Sequence, residues 1–396
     1  MSAPTVEGAA WIKLSLLSHG MVVDDAFAEW FASRPSAVRR RNFYNSPVWG
    51  GARSETPQEI VIRSKAGVPV TVAVNVYGDD TWTLTADRGR PALRGLGRVV
   101  PVELTDDLTS LRADPGLAAV ANLYGGSALS FFSPRACYFF TDGTNCRFCS
   151  LHGTAAETEF ANRLTPDEVR RAVAEVLSGE PSRVNQVMIV GGNERNLDTG
   201  FLRHVELARA VGEAVEEASA EVSVHVVTMP PRDLGLLGEL RQVPGIHVGF
   251  NLEVWDSGRF EQVAPGKHAD YGQAQILRAL RELVAVVGRY RAHSILIAGL
   301  ESPASTIEGA RALAALGVSP IVNAFHSDVH SDLGLTIRPS YEVLAEVAVG
   351  LQRVHDEFPI QPYWKGCGRN ALDFEARHGL FIGDPLDLAV RSGSAS

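Results

Sequence analysis

Three of the four cysteines in this 396-residue chain lie in one short segment, CYFFTDGTNCRFC, at Cys137, Cys146 and Cys149. Their spacing, C-x8-C-x2-C, brings three thiols close enough to share one ligand. In a chain with so few cysteines, clustering of this kind is typical of metal or redox chemistry in a reducing compartment rather than of a disulfide framework. The segment is therefore predicted to hold a metal centre.

Two kinds of centre fit this spacing. Three thiolates and His152 form a Cys3His set suited to structural zinc. The same thiolates can instead hold three corners of a [4Fe–4S] cluster, which leaves the fourth iron open to an exogenous ligand. An open metal position is typical of catalytic sites. The cysteines alone do not decide between the two.

The elements around the cysteines follow a strand–helix alternation. Apolar runs predict six strands, ALSFF, QVMIVGG, VSVHVVTM, GIHVGFNLEV, HSILIAGL and SPIVNAF, and the cysteine segment follows the first. Thr165 and Pro166 have the residue types of a helix cap and first turn. Six units, where a full barrel has eight, predict an α/β fold with a partial (β/α)6 barrel, whose functional residues lie at the carboxyl ends of the strands.

Three regions are expected. Residues 1–126 are predicted to form an accessory α+β domain, with a helix near Asp24 to Ala32 and short strands in one antiparallel sheet. Residues 127–335 are predicted to form the barrel. Residues 336–396 are predicted to be an extension that covers the core, with a helix from about Pro339 to Phe358.

The amino-acid composition narrows the classes of partner that the protein is expected to bind. A formal net charge of -9 argues against a broad electrostatic surface for nucleic acid or anionic membranes. No run approaches the roughly 20 apolar residues of a membrane span. The N-terminus lacks a basic segment followed by a sustained apolar run, so a cytoplasmic location is expected. The acidic balance and the absence of an obvious recognition module disfavour a macromolecular substrate, so a small molecule is expected.

The sequence resembles the radical S-adenosylmethionine (radical SAM) superfamily, and its biotin-synthase-like members in particular. The segment CRFC matches the second half of that family's cluster motif, with Phe148 at the aromatic position; the first gap has eight residues instead of three. After the second strand, VGGNE is similar to the segment that binds the methionyl amino group. The resemblance assigns Gly191 and Gly192 to this role, with either Asn193 or Glu194 as the polar contact.

Later strand ends continue the resemblance. After the fourth strand, NLEVW implies that Asn251 and Glu253 bind the ribose hydroxyls, and the segment that follows includes Arg259. The fifth and sixth strands imply contacts to adenine. These residues are Ile297 and Gly299, and the backbone near Val322 and Asn323.

The resemblance implies a specific chemistry. A reduced [4Fe–4S] cluster held by the three cysteines would cleave S-adenosyl-L-methionine to a 5′-deoxyadenosyl radical. That radical would abstract hydrogen from a small molecule in a bacterial biosynthetic pathway, leading to rearrangement, cyclisation or carbon–carbon bond formation. A one-electron donor such as flavodoxin or ferredoxin is the expected partner. The alternative is a zinc-stabilised, non-catalytic binding protein on the same scaffold; the oligomeric state is left open.

Substrate-side residues are predicted in two further segments. FHSDVHSD follows the sixth strand and contains His326 and His330, which are candidates for substrate binding or proton transfer. A solvated turn explains the same residues equally well. The fourth cysteine, Cys367, is either a hydrogen-atom donor or a small buried apolar residue. His225 and His293, within or at the edge of strands, are interpreted as structural.

Overall fold

One large, mostly parallel sheet organises the molecule. The computed structural model describes residues 8–33, 56–156, 163–334 and 336–382. The strands of these residues are β1 (Val22–Val23), β2 (Glu59–Arg63), β3 (Pro69–Ala73), β4 (Thr83–Asp87), β5 (Arg90–Gly95), β6 (Arg98–Pro101), β7 (Glu103–Leu104), β8 (Ala121–Tyr124), β9 (Ala128–Phe132), β10 (Gln186–Val190), β11 (Ser223–Val227), β12 (His247–Gly249), β13 (Ala292–Ala298) and β14 (Val318–Ala324). The large sheet has the order β14-β13-β12-β11-β10-β9-β8.

This order confirms the predicted fold class. The strands β9 to β14 are the six predicted from apolar runs, and each pairs in parallel with the next. Strands that are consecutive in the sheet are also consecutive in sequence, unlike a doubly wound sheet, in which the order reverses. Among the described residues, β14 forms no ladder with β8 or β9, so the barrel is partial.

Helices pack against the outer face of this sheet, against the small sheets before β9 and around the strand ends. They are α1 (Ala9–His19), α2 (Asp25–Ala32), α3 (Thr109–Ala113), α4 (Pro115–Ala118), α5 (Tyr138–Thr141), α6 (Leu151–Ala156), α7 (Pro166–Gly179), α8 (Leu197–Glu217), α9 (Ser257–Val263), α10 (Pro265–Asp270), α11 (Gln273–Val287), α12 (Pro303–Leu316), α13 (Tyr341–Glu357) and α14 (Asp373–Arg377). Short 3-10 helices span Pro181–Arg183 and Leu234–Gln242. The predicted start of α7 is confirmed, because the Thr165 hydroxyl accepts from the Glu168 N–H and the Glu168 carboxylate accepts from the Thr165 N–H. In the described part of the chain, no helix has both the length and the apolar character needed to cross a bilayer.

Side chains alternate between the two faces of each parallel strand. In β11, Val224 and Val226 pack in the core beneath the helices, so His225 between them points into the barrel interior. Met188 of β10 and Ile321 of β14 also face the interior, where they pack together in a separate apolar cluster. We call the carboxyl ends of β9 to β14 the open end of the barrel and their amino ends the closed end.

Residues 361–372 form a segment that we call the C-terminal strap, and its first part fills the closed end. Its Tyr363, Trp364 and Cys367 pack against the interior cluster. The strap then runs beside β14, where the Ala324 N–H donates to the Asn370 carbonyl at 2.8 Å. The C-terminal extension thus lies against the unpaired edge strand of the barrel, and α13 begins at Tyr341, close to the predicted start.

The strap also lies very close to the turn between β8 and β9. A Cβ on Gly125, between β8 and β9, would lie 1.9 Å from the Cys367 carbonyl oxygen. On the outer side, the buried Lys13 of α1 donates to the Gly368 carbonyl at 2.7 Å and pairs with Glu375 at the same distance. These contacts fix the strap from both sides.

The region before β9 differs from the single antiparallel sheet expected from its short strands. Two small sheets form instead, with the orders β1-β4-β5-β6 and β3-β2-β7. The turns between strands are short, but β1 pairs in parallel with β4, which local turn signals do not predict. In addition, β8 pairs antiparallel with β9, so the large sheet begins before the boundary expected at residue 126.

Candidate functional site

The cysteine loop, from Cys137 to Cys149, lies at the open end directly after β9. Backbone hydrogen bonds join its start to the end of β10. The Gly192 N–H donates to the Pro134 carbonyl at 2.7 Å, and the Tyr138 N–H donates to the Asn193 carbonyl at 3.0 Å. The first cysteine is thereby fixed beside the VGGNE segment that the sequence predicts as a ligand-binding turn.

Gly192 permits this approach. A Cβ at this position would lie 2.1 Å from the Ala136 carbonyl oxygen and 2.8 Å from the Cys137 nitrogen, distances that no real side chain tolerates. The resemblance assigned this glycine to the segment that binds the methionyl amino group. The structure shows that it also lets β10 touch the cysteine loop.

Ion pairs hold the outer side of the same loop. Asp270 of α10 accepts from the Tyr138 hydroxyl and pairs with Arg232. Asp142 accepts from Arg195 at 2.9 Å, and this hydrogen bond holds the pKa of the Asp142 carboxyl below its usual value. The loop is therefore fastened to α10 and to the residues after β10 and β11, which places its thiols independently of any ligand.

All three cysteines line one cavity of about 150 Å³, which we call the cysteine cavity. Burial is the main cause that raises the pKa of Cys149, to about 12, and it also raises the pKa of Cys146. Thiols with such pKa values are protonated at neutral pH and are weak nucleophiles. The predicted residues that share this cavity with them are Phe148, Gly191, Gly192, Asn193, Asn251 and Glu253.

A buried ion pair forms one wall of the cavity. Lys267 of α10 and Glu253 are 5% and 7% exposed, and the Lys267 Nζ lies 2.7 Å from a Glu253 carboxylate oxygen. Burial by itself lowers the pKa of Lys267, but the charge and the hydrogen bond of the Glu253 carboxylate oppose it, and the pKa is raised. A lysine that stays protonated thus lies beside the cysteines.

Lys267 was not among the residues predicted from the sequence. It follows the fourth strand, but a single lysine within a short helix carries no distinguishing spacing. Its partner is 14 residues away and has a backbone φ of 72°, which is rare for a residue other than glycine. Such strain is maintained only where the surroundings enforce it; here Glu253 forms two backbone hydrogen bonds to β13, with Ile295 and Ile297.

Asn193 and Glu194, which the resemblance left as alternatives, face different ways. Asn193 lines the cysteine cavity, and its Nδ2 lies 3.7 Å from the Cys137 Sγ. Glu194 pairs with Arg163 and Arg203 and lines a second cavity on the outer side of the barrel. Only Asn193 is directed toward the cysteines.

The residues predicted to contact ribose and adenine are distributed unevenly. Asn251 lines the cavity, whereas Arg259 donates to the Leu300 carbonyl at 2.9 Å and does not. In the fifth and sixth strands, Ile297, Gly299, Val322 and Asn323 lie near the strand ends but outside the cavity lining.

The surroundings of these last four residues differ. Ile297 points into the barrel and is almost fully buried, and Gly299 packs against Pro339. The Val322 carbonyl accepts from the Leu372 N–H of the strap at 2.9 Å, so this part of the backbone faces the strap. The Asn323 Oδ1 is buried without a hydrogen-bond partner among the described residues.

The predicted substrate-side residues are not at the cysteine cavity. The His326 Nε2 lies 3.9 Å from an Asp328 carboxylate oxygen, and the His330 ring packs against Gly153. Cys367 is fully buried in the strap at the closed end. His152, the fourth ligand of the zinc alternative, is exposed and stacks on Phe140 instead of lining the cavity.

Known proteins resemble the chain at the level of structure. No family model and no curated protein sequence matches. Among solved structures, the chain is similar to methylornithine synthase (PylB), at 16% identity and a TM-score of 0.43 over 58% of this chain and 62% of that one. It is also similar to HydG, a maturase of the [FeFe]-hydrogenase, at 16% identity and a TM-score of 0.44 over 62% and 54% of the two chains.

The name of a third similar structure states its enzyme class. It is a radical SAM methyltransferase from Sphaerobacter thermophilus, at 16% identity and a TM-score of 0.42 over 73% of this chain and 81% of that chain. The chain spans less than two thirds of the first two proteins. Identities and TM-scores this low do not transfer an activity, so function has to be inferred from this chain's own residues.

Proposed function

We propose that the protein is a radical SAM enzyme, with a [4Fe–4S] cluster on Cys137, Cys146 and Cys149 and S-adenosyl-L-methionine at the open end of the barrel. The observation that carries this proposal is the meeting of three thiols around one cavity at the carboxyl ends of parallel strands. This is the position at which barrel proteins bind their ligands. A reducing, cytoplasmic compartment fits the free thiols.

The donor set fits an open cluster better than a closed zinc site. Among the described residues that line the cavity, there is no histidine and no fourth cysteine. Structural zinc takes four protein ligands, and the one histidine with suitable spacing, His152, is exposed. Three soft sulfur donors suit iron–sulfur chemistry and leave one corner for a ligand from outside.

When bound, the cluster supplies one electron that cleaves the sulfonium of S-adenosyl-L-methionine and yields a 5′-deoxyadenosyl radical. The protein has to hold both groups and exclude water and stray hydrogen donors. The Lys267 ammonium is placed to stabilise the negative charge that appears when the thiols lose their protons. The Asn193 and Asn251 side chains offer hydrogen bonds to the amino acid and ribose parts of the ligand.

The substrate is proposed to be a small molecule in a biosynthetic pathway. At about 150 Å³, the cysteine cavity is below the roughly 300–1,000 Å³ of pockets that enclose drug-sized ligands, so a nucleotide has to extend along the strand ends. Val190 and Val227 form the cavity floor and pack below against the interior cluster. The substrate therefore enters from the open end, where a flavodoxin-like or ferredoxin-like donor also has to approach.

Anaerobic reconstitution tests the proposal. The protein is loaded with iron and sulfide, reduced with dithionite and incubated with S-adenosyl-L-methionine. We expect a brown protein with ~4 iron atoms per chain and formation of 5′-deoxyadenosine. Labelled candidate substrates that transfer deuterium into 5′-deoxyadenosine then identify the carbon that is attacked.

The opposite result is equally clear. A colourless protein that retains ~1 zinc per chain, loses that zinc when Cys137 is replaced by alanine and forms no 5′-deoxyadenosine would support the zinc-stabilised binding protein instead. Full iron content after replacement of any one of the three cysteines by alanine would also overturn the assignment of the cluster ligands.

A further inference from the structure

Three histidines meet inside the closed end of the barrel, at the other end of the same strands from the cysteine loop. They are His225 on β11, His247 on β12 and His293 on β13. The parallel register pairs His225 directly with His247, and all three side chains point inward because their strand neighbours pack against the helices. One nitrogen from each ring lies within 4.8 Å of the other two.

The hydrogen bonds of the three rings leave two ring nitrogens without a partner among the described residues. The His247 Nδ1 and the His293 Nε2 lie 2.9 Å apart, and the His225 Nε2 bonds to the Ser223 hydroxyl at 2.7 Å. The Nδ1 atoms of His225 and His293 are buried and have no partner among the described residues. Buried polar atoms are nearly always paired, so unpaired atoms on neighbouring rings call for an explanation.

The surroundings keep these imidazoles neutral. Burial lowers the pKa of His225 and of His293 well below 6.5, and it lowers the pKa of His247 to about 4, with Lys365 and Arg291 adding to that shift. Neutral imidazole is the form that binds metal ions.

We propose that His225, His247 and His293, which we call the histidine triad, bind one divalent first-row transition ion, with zinc as the best match. Three imidazoles form a well-known ligand set for zinc and leave the fourth position free. Metal–nitrogen distances of about 2.0–2.1 Å in a tetrahedral site place the nitrogens roughly 3.4 Å apart. The present spacing differs, since the His247 Nδ1 and the His293 Nε2 lie 2.9 Å apart. Binding of an ion therefore requires the rings to turn, and the stack of His225 on His247, with centroids 4.5 Å apart, has to open.

The strap seals this site. The Tyr363 ring packs edge-on against His225 and His293, with centroids 4.5 and 4.8 Å away. An ion held by the histidine triad would tie three neighbouring strands together beneath that ring. The site is separate from the cysteine cavity, because Val227 lies two residues beyond His225 on the same face and forms the cavity floor.

A titration of the cluster-free protein tests this proposal independently of the proposed function. In the untagged full chain, the triple variant Cys137→Ala, Cys146→Ala, Cys149→Ala removes the clustered thiols. After treatment with a chelator, Co²⁺ is added as a spectroscopic probe and Zn²⁺ as the competitor. We expect one equivalent of Co²⁺, visible d–d bands without thiolate charge transfer, and displacement by Zn²⁺.

Histidine variants locate the ion. His247→Asn and His293→Phe should each abolish stoichiometric Co²⁺ binding. His355→Phe is the matched control because His355 is buried on α13, outside the histidine triad, and this variant should bind normally. Binding that persists in the triad variants would overturn the proposal.

A measurement that needs no histidine substitution protects against misfolded variants. X-ray absorption of the Co²⁺-loaded, cluster-free protein should show nitrogen or oxygen neighbours only, and Zn²⁺ should raise its melting temperature. Absence of stoichiometric Co²⁺ binding, or sulfur in the first coordination sphere, would exclude the histidine site whether or not the cysteines bind a cluster.

Discussion

The two ends of the barrel present side chains of different chemistry. At the open end, three cysteines and a lysine–glutamate pair surround a cavity. At the closed end, three histidines lie in a packed interior beneath the strap. Soft thiolates and neutral imidazoles favour different metal ions, so one scaffold offers two distinct ligand sets.

The two ends also differ in the contacts that fix their metal-ligand candidates in position. The cysteines lie on a loop that is fixed by hydrogen bonds and ion pairs, whereas the histidines lie on the strands themselves. The positions of the cysteines depend on the hydrogen bonds and ion pairs that fix their loop. The positions of the histidines depend on the register of the strands that carry them. The following substitutions separate these two mechanisms.

The largest expected effect is at the cysteine loop. Replacing Cys137, Cys146 or Cys149 with alanine should abolish iron incorporation and 5′-deoxyadenosine formation, because a cluster with two protein thiolates is not retained. Cys367→Ala should keep full iron content, since this thiol is buried in the strap. Iron analysis after reconstitution checks the four variants, and equal losses in all of them would contradict the distinction between the two ends.

The buried ion pair should have the next largest effect. Lys267→Met leaves the Glu253 carboxylate buried and unpaired, which typically costs about 3–5 kcal/mol of the free energy of unfolding. The double variant with Glu253→Gln should recover much of that loss, because no charge remains buried. Urea denaturation of the single and double variants measures this coupling, and strictly additive losses would show that the pair is not coupled.

Gly192→Ala should disturb the contact between the end of β10 and the cysteine loop. Its Cβ would collide with the Ala136 carbonyl, so we expect a loss of about 1–3 kcal/mol in stability together with reduced iron incorporation. Gly179→Ala at the end of α7 is the control, since no atom lies within 4 Å of the added Cβ. If both variants incorporate iron equally, β10 is not the anchor of the cysteine loop.

The smallest effect concerns a buried histidine outside both ends. Burial lowers the pKa of His355 from 6.5 to about 4, so the folded state binds fewer protons than the unfolded state between these values. Its contribution to stability is complete above pH 6.5 and is lost as the pH falls toward 4, by ~2 kcal/mol at pH 5. His355→Phe should flatten the dependence of the urea midpoint between pH 7.5 and pH 5, and an unchanged slope would argue against the lowered pKa.

Sequence patterns predicted the strands and the cysteine loop because these depend on neighbours in the chain. The run Ala128–Phe132 is buried along its whole length, as its apolar sequence indicated, and the cap at Thr165 is local chemistry. Clustering of Cys137, Cys146 and Cys149 is visible in the sequence for the same reason, and the structure places all three at one cavity.

Residues that meet through tertiary contacts were not predictable in this way. His225 and His293 are isolated in sequence and were interpreted as structural; only the strand register brings them together with His247. The pairing of Lys267 with Glu253 depends on how α10 packs beneath the strand ends.

The strap has a consequence for how the nascent chain matures. Residues 361–372 are synthesised after all six parallel strands, yet their Tyr363 and Trp364 complete the barrel interior. While the ribosome is still translating α13, Tyr363 and Trp364 have not yet been added, so Met188 and Ile321 lack these packing partners at the closed end. The growing polypeptide therefore passes through a stage with an uncovered apolar interior, which is the kind of surface that chaperones bind.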